Sequence, residues 1–286
     1  MPYNHQSFDV QRSMGTKQFE IYHYQDRNME NVNVHHHNFY EVYFFISGEV
    51  RFRIEGRTYI LEPGDLLLIN PQQLHQSEIG PDSTYERIVL WLDRNYLASL
   101  SCPGMDLTGC FDPNRPNYTN LVRASKGQRA SLRQLLEHLT QEFHSQSPGH
   151  ELYAQGVLLQ FLVELNRLAA ANSPFVPGQQ EPDLVARVLG YIGNHYMEKI
   201  SLDTIATEFY VSKYYLSHAF SRQVGTSIYR YILFRRLSQA KELMIRGQTP
   251  GEIYQQCGFG DYANFYRAFK ETFGISPRAF AADTLK

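Results

Sequence analysis

Two stretches, 201-SLDTIATEFYVSKYYLSHAFSRQVGTS-227 and 249-TPGEIYQQCGFGDYANFYRAFKETFGISP-277, are two copies of one helix-turn-helix pattern. Ser212, Leu216, Phe220, Gly225 and Ser227 recur 49 positions later as Asp261, Phe265, Phe269, Gly274 and Ser276. Each set holds an N-cap residue, apolar residues at i+4 and i+8, a helix-ending glycine and a new cap two residues on. Ile205 and Ile253 stand 48 apart, so the second copy gains one residue, and Gly260 in its turn is the candidate. Five preserved spacings of matching chemical type outweigh any single motif.

Within the first copy Ser201 is an N-cap, and Leu202, Ile205 and Phe209 form the buried side of a positioning helix. Ala206 is small where a second helix must cross closely. Ser212 opens the next helix, with Leu216 and Phe220 inward and Lys213, Tyr214, Ser217, His218, Ser221 and Arg222 outward. Tyrosine, serine and histidine on one short face suit base edges, thymine methyls and phosphate oxygens, and Arg222 suits a phosphate. In the second copy Ala263, Tyr266, Arg267 and Lys270 face out, with Asn264 on the flank. Arg267 suits bidentate recognition of guanine, Asn264 suits adenine if the helix is rolled that way, and Lys270 suits phosphate. The helix between the copies, Ser227 to about Arg246, is roughly 30 Å long, near the rise of one DNA turn. An ordinary helical bundle would share these shapes; the matched caps of the double copy favour DNA binding.

Residues 184–280 resemble the tandem helix-turn-helix domain of the AraC/XylS family of bacterial transcription regulators. The resemblance is carried by Ile205-Ala206, Ser212, Tyr215-Leu216, Phe220, Gly225, Arg236-Leu237, Ala240, Leu243, Gly258-Phe259, Phe265, Arg267, Phe269-Lys270, Gly274 and Ser276-Pro277. It implies two recognition helices in adjacent major grooves, with Tyr214, Ser217, His218 and Arg267 at base-reading positions. One departure is Ile253-Tyr254, where the family usually has Ile-Ala. A tyrosine there predicts a tilted or less tightly packed second copy, with the first copy dominating sequence reading.

The rest of the 286-residue chain supports two domains. Apolar content of 43% and charged content of 20% suit a soluble protein with real cores. No apolar run reaches membrane-span length, and the polar start MPYNHQSFDVQRSMG has no signal-peptide core, so the cytoplasm is expected. Cys102, Cys110 and Cys257 are odd in number and lack metal spacing, and Cys257 reads as a core residue. The net charge of −2 divides into +4 over residues 183–286 and −6 over residues 1–182, which permits phosphate binding by the C-terminal part.

Residues 1–15 read as a polar arm. From Lys17 to Trp91 the runs FEIYHY, YEVYFFI, VRFRIEG, RTYILEPG, DLLLINP and YERIVLWL alternate with Gly and Pro turns, the signature of a small β-barrel or sandwich. Residues 93–127, with Asp112-Pro113 and Arg115-Pro116, predict a short helix and irregular loop. Leu132, Leu135, Leu136, Leu139 and Phe143 then repeat at helical spacing. After Ser147-Pro148-Gly149 a second helix is predicted from His150 to Ala171. This pair packs on the barrel, and part of it suits a homodimer interface. Residues 172–182, with three Pro and one Gly, read as a linker. The predicted fold class is α+β: residues 1–171 form a β-barrel with a helical pair, and residues 183–286 form an all-α tandem helix-turn-helix domain.

His35-x-His37-x3-Glu41-x6-Gly48, followed by Gly64-Asp65, Pro71 and His75, resembles the two motifs of the cupin superfamily, a jelly-roll barrel. The second motif departs, with Gln72-Gln73-Leu74 in place of the usual Gly before the His. The resemblance implies that His35, His37, Glu41 and His75 converge on one centre. Three imidazoles and a carboxylate suit a divalent metal; the same groups suit a hydroxylated ligand, with Tyr43 or Trp91 stacking on a sugar face. Arg51 and Arg53 share one strand face, and an inward Arg53 would favour an anionic ligand. The metal-free effector site is the favoured reading, and no cofactor is expected.

The expected function is a ligand-responsive transcription regulator, an activator by family resemblance, and not an enzyme. Its expected partners are double-stranded promoter DNA, a carbohydrate-like small molecule, a second copy of the chain and RNA polymerase. The competing readings are a metal-dependent cupin enzyme or metal sensor fused to a DNA-binding domain, and a constitutive DNA-binding protein with an inert barrel.

Overall fold

The computed structural model describes residues 11–12, 14–27, 31–71, 73–80, 84–112, 115, 118–171 and 183–284. The predicted linker 172–182, most of the predicted arm, and Gln72, Pro113 and Pro116 lie outside the described residues. The chain divides into two compact units, one β-rich and one helical.

The barrel unit begins with β1 (Gln11–Arg12), β2 (Phe19–Arg27), β3 (Val32–His37), β4 (Tyr40–Ser47) and β5 (Val50–Ile54). It continues with β6 (Arg57–Ile60), β7 (Leu66–Ile69), β8 (His75–Ile79), β9 (Thr84–Leu92) and β10 (Leu121–Val122). One five-stranded sheet runs β1-β3-β8-β5-β6 and the other β10-β7-β4-β9-β2. Gln11–Arg12 corrects the reading of residues 1–15 as arm throughout, because it pairs in parallel with His36–His37.

The second sheet is apolar on both faces, as a sheet covered on both sides must be. Val42, Phe44, Leu66, Leu68, Ile88, Leu90 and Leu92 face a helical layer. That layer is α1 (Arg94–Ser99), α2 (Lys126–Phe143) and α3 (His150–Ala171), so the predicted helical pair does pack on the sheet. Phe161, Leu162 and Leu165 are fully buried there, each contributing about 1.5–3 kcal/mol by leaving water. On the other face Tyr43, Phe45, Leu67, Ile69, Tyr85 and Val89 meet Val50, Phe52, Ile54 and Tyr59 of the first sheet. β3 and β8 escape the apolar pattern because residues they turn inward are polar: His35, His75 and Ser77 are buried.

In the helical unit α4 spans Leu184–His195, α5 Leu202–Glu208, α6 Lys213–Val224 and α7 Ile228–Ile245. Then come α8 (Pro250–Ile253), α9 (Tyr262–Phe273) and α10 (Pro277–Thr284). The caps fall where the repeat places them. Ser212 accepts from Tyr215 N at 3.2 Å, Asp261 from Asn264 N at 2.7 Å, and Gly225 and Gly274 end α6 and α9 in the left-handed conformation.

The turns also repeat. Tyr210 N bonds Thr207 O and Val211 N bonds Ala206 O; 48 residues on, Gly258 N bonds Gln255 O and Phe259 N bonds Tyr254 O. The inserted residue therefore follows Phe259 and is Gly260. The expected loosening by Tyr254 does not occur. Ile253, Phe265 and Phe269 are fully buried, and Tyr254 lies at the half-buried rim, edge-on to Tyr262 at 5.8 Å. The larger side chain is accommodated at the edge of the core rather than in the helix crossing. Cys257 is a buried core residue, as expected.

Candidate functional site

The barrel holds a cavity that opens to solvent. Strand alternation decides its lining. Tyr85, Arg87, Val89 and Trp91 stand at every second position of β9 and all reach it, as do Glu41 and Tyr43 of β4, Phe52 of β5, and His75 and Ser77 of β8. Trp91 Nε1 donates to Glu41 Oε2 at 3.1 Å, and its ring packs on Tyr22 and Phe39. An indole fixed in this way is a rigid stacking surface. Tyr43 and Tyr85 are hydrogen-bonded through their hydroxyls. Burial raises the Tyr43 hydroxyl well above its usual range and pushes Tyr85 up to about 12, so both remain neutral donors and acceptors.

Among the described residues, Arg87 is the one lining residue of fixed positive charge, and it is 4% exposed. It pairs with Asp26, and its guanidinium lies 4.7 Å from the Tyr24 ring centre and 4.4 Å from that of Tyr85. Aromatic faces and a carboxylate together offset the cost of burying the charge.

The sequence-predicted residues separate. His35, Glu41, Tyr43, His75 and Trp91 line the cavity. His37 is fully buried beside it, its ring stacked on Phe39 at 4.0 Å. Arg53 does not belong to the site: Val50, Phe52 and Ile54 take the inward positions of β5, so Arg53 points away and pairs with Glu78 at 3.1 Å. Arg87, Tyr85, Ser77 and Tyr24 were missed. The every-second-residue pattern from Tyr85 to Trp91 was the available signal, and it was spent on assigning the strand.

His37, Glu41 and His75 form a tighter cluster. Their nearest ligand atoms all lie within 4.8 Å of one another, and all three residues are buried. His37 Nδ1 bonds Phe39 O and His75 Nδ1 bonds Gln73 O, both at 2.8 Å. A carbonyl can only accept, so each Nδ1 carries the proton and each Nε2 is left for the cluster. His37 Nε2 sits 3.0 Å from Glu41 Oε2. A divalent cation held between Nε2 and the carboxylate would be bonded by both. His35 lies against His75, ring centres 4.1 Å apart, outside this three-residue cluster.

The helical unit presents two exposed faces. On α6 Tyr214 is 83% exposed and stacked on the exposed His218 ring at 6.3 Å. Ser217 is half-buried, Arg222 is exposed, and Lys213 is held by Asp203 at 2.6 Å. On α9 Ala263, Asn264, Arg267 and Lys270 are exposed and Tyr266 is half-buried. Arg267 Nη2 donates to Asn264 Oδ1 at 2.6 Å, while Asn264 Nδ2 donates to Asp261. Both ends of the Asn264 amide are therefore engaged, and it orients Arg267.

Tyr210 is another residue the sequence reading missed. It is 95% exposed in the turn before α6 and holds a left-handed conformation, φ 54°, that disfavours an aromatic side chain.

Residues 19–162 match the AraC-like ligand binding domain, and residues 205–283 match a helix-turn-helix domain. The arabinose operon regulatory protein of Salmonella typhimurium is 29% identical over 246 residues, covering 83% of this chain and 81% of that protein. An uncharacterized HTH-type transcriptional regulator, YbfI of Bacillus subtilis, is 27% identical over 238 residues, 82% of each chain. The fatty-acid-bound structure of ToxT from Vibrio cholerae covers 94% of this chain and 97% of that one, at 15% identity and a TM-score of 0.40. No helix among the described residues is long and apolar enough to cross a membrane. A chain with an AraC-like ligand binding domain over half its length, followed by this doubled helix-turn-helix, belongs to the AraC family of ligand-responsive, DNA-binding transcription regulators.

Proposed function

We propose that this regulator binds a carbohydrate or a carbohydrate derivative in the barrel cavity and activates transcription from the DNA it reads, without enzymatic activity. Residues 1–171 form the effector-binding and dimerising domain, 172–182 the linker and 183–286 the reading domain, working as a homodimer that presents a surface to RNA polymerase. The observation that carries the effector class is the cavity lining: Trp91, locked by Glu41, offers a flat apolar face beside Tyr43, Tyr85, Ser77 and His75. Sugars present that combination of apolar ring face and hydroxyl edge. The name of the relative that governs an arabinose operon, and that of RhaS, a transcriptional activator, support both halves of the reading. For the effector to regulate, it must bind two arrangements of the protein with different affinity.

A thermal-shift screen of sugars, sugar phosphates and divalent metals, run with and without promoter DNA, tests this. A sugar at 100 times its dissociation constant adds about 2.7 kcal/mol of stability, and Trp91→Ala removes that gain. If no sugar alters melting or DNA affinity, the effector class is wrong.

In the same reading, Arg267→Ala weakens specific DNA binding by about 1–3 kcal/mol and relaxes selectivity at one base pair. Lys270→Ala reduces the salt slope by about 1 with specificity kept. Equal losses on specific and random DNA for Arg267→Ala would remove the base-reading role.

The convergence of His37, Glu41 and His75 supports a second reading, in which a divalent cation is sensed by these three residues. Backbone carbonyls on both Nδ1 atoms fix the imidazoles in the metal-binding tautomer. Elemental analysis of purified protein then gives one metal per chain, lost in Glu41→Ala and His75→Ala. Metal-free protein that binds a sugar at full affinity excludes it.

A further inference from the structure

Arg236 and Gly258 are among the residues that carry the family resemblance, yet neither lies on a reading face. They meet at the end of α4. Arg236, from the middle of α7, donates through Nε to Tyr196 O at 2.6 Å and through Nη2 to Glu198 O at 2.7 Å. Tyr196 is the C-cap of α4. A cation there satisfies the Tyr196 carbonyl at the helix cap and complements the negative helix end.

Gly258 closes the same point from the second copy. A Cβ at this position would lie 2.7 Å from Met197 O and 2.9 Å from Arg236 Nε, and the backbone is left-handed, φ 81°. Its counterpart in the first copy is Tyr210, which has the same turn and is almost fully exposed. The repeat is therefore broken where the second turn is pressed against the end of α4.

Helix α7 packs on both α6 and α9, and α4 packs on α6, so this junction adds a tie from the second copy to the first that runs through α4. A tie of this kind braces the angle that α7 alone would set. We infer that Arg236 and Gly258 are positioning residues that set the angle between α6 and α9, and so the spacing of the two DNA segments the protein reads together. The inference rests on the DNA-reading function proposed above. Two heads held at one angle gain their joint affinity only on DNA of matching phase, because inserting one base pair turns the second segment by roughly 34° and moves it by 3.4 Å.

The test uses full-length protein and a duplex that it selects from a random-sequence pool. That duplex and versions with one base pair inserted or deleted between the two protected grooves are compared by titration and footprinting. Wild type loses about tenfold or more in affinity on each altered duplex. Arg236→Ala binds the selected duplex about tenfold more weakly and loses less than about threefold further on the altered ones, with one groove still protected. Arg236→Lys keeps the charge but has no planar fork to bridge two carbonyls, and it falls between them. Should Arg236→Ala lose helix content, Arg236→Lys carries the comparison.

A folded variant with the wild-type dependence on spacing overturns the junction's role and leaves the DNA-reading function standing. A wild type that tolerates every spacing overturns the inference alone; a wild type that selects no duplex overturns the DNA-reading function on which it rests. Gly258→Ala, which crowds the junction from the other side, shows the same relaxed dependence; unchanged dependence in folded Gly258→Ala counts equally against the inference.

Discussion

Replacing Asp65 with alanine lowers the stability of the barrel unit by about 3 kcal/mol. Asp65 is fully buried at the start of β7. Its Oδ1 accepts from Arg123 Nε at 2.9 Å, and its Oδ2 accepts from Arg123 Nη2 and from Glu62 N, both at 2.7 Å. The fork ties the turn before β7 to the segment after β10, the neighbouring strand. Removing the carboxylate strands a guanidinium and a backbone donor together, and breaking a buried pair from one side costs about 3–5 kcal/mol. The lower end applies because Arg123 keeps Glu62 at 2.8 Å and its side chain is 18% exposed, so water recovers part of the loss. Chemical denaturation followed by Trp91 fluorescence reads the change, since this indole is the protein's single tryptophan and sits in the barrel. A change below about 1 kcal/mol would mean that the pair is no more than a surface ion pair.

Phe269→Ala has an effect of similar size in the other unit, about 3–5 kcal/mol. The ring is fully buried, with the ring centres of Phe265 at 5.7 Å, Phe273 at 4.6 Å and Phe280 at 5.8 Å around it. The cluster holds α9 against α10, and α9 carries Arg267 and Lys270. Loss of the ring leaves a cavity that rigid neighbours fill only in part. The second reading helix then becomes disordered while Tyr214 and His218 stay presented. Helix content by circular dichroism falls at a lower denaturant concentration, and footprinting shows one groove protected instead of two. Effector-induced protection of the Trp91 signal is unchanged, because the cavity draws on none of these residues. Equal loss of both grooves would show that the two copies fold as one cooperative block.

Most of the helical unit was legible in the sequence. Caps, glycines and apolar spacings are local, and α-helices are held by local hydrogen bonds, so Ser212, Gly225, Asp261 and Gly274 fall at their predicted places. The placement of Gly260 as the inserted residue followed from counting. Tyr254 could not be read in this way. Whether an aromatic ring loosens a helix pair depends on whether a rim is available to receive it, and that is a property of packing.

The barrel was legible as a barrel but less so as a site. Apolar strands announced themselves, whereas β3 and β8 did not, because a strand that turns histidine and serine toward a cavity loses the apolar half of its alternation. Arg53 was misplaced by one residue of phase: the strand pattern says that Arg51 and Arg53 share a face, and only the partner sheet says which face is inside. Arg87 was passed over for the opposite reason. A charged residue in an apolar strand reads as the solvent side, unless Asp26, Tyr24 and Tyr85 gather around it from distant positions.

By itself the sequence determined two domains, the doubled reading unit, its caps and most of its exposed faces, because each rests on spacing along one element. Tertiary structure alone decided the orientation of Arg267 by Asn264, the close approach of His37 and Glu41, and the meeting of Arg236, Gly258 and the end of α4. Those depend on the distance and direction between backbone segments that no sequence period encodes.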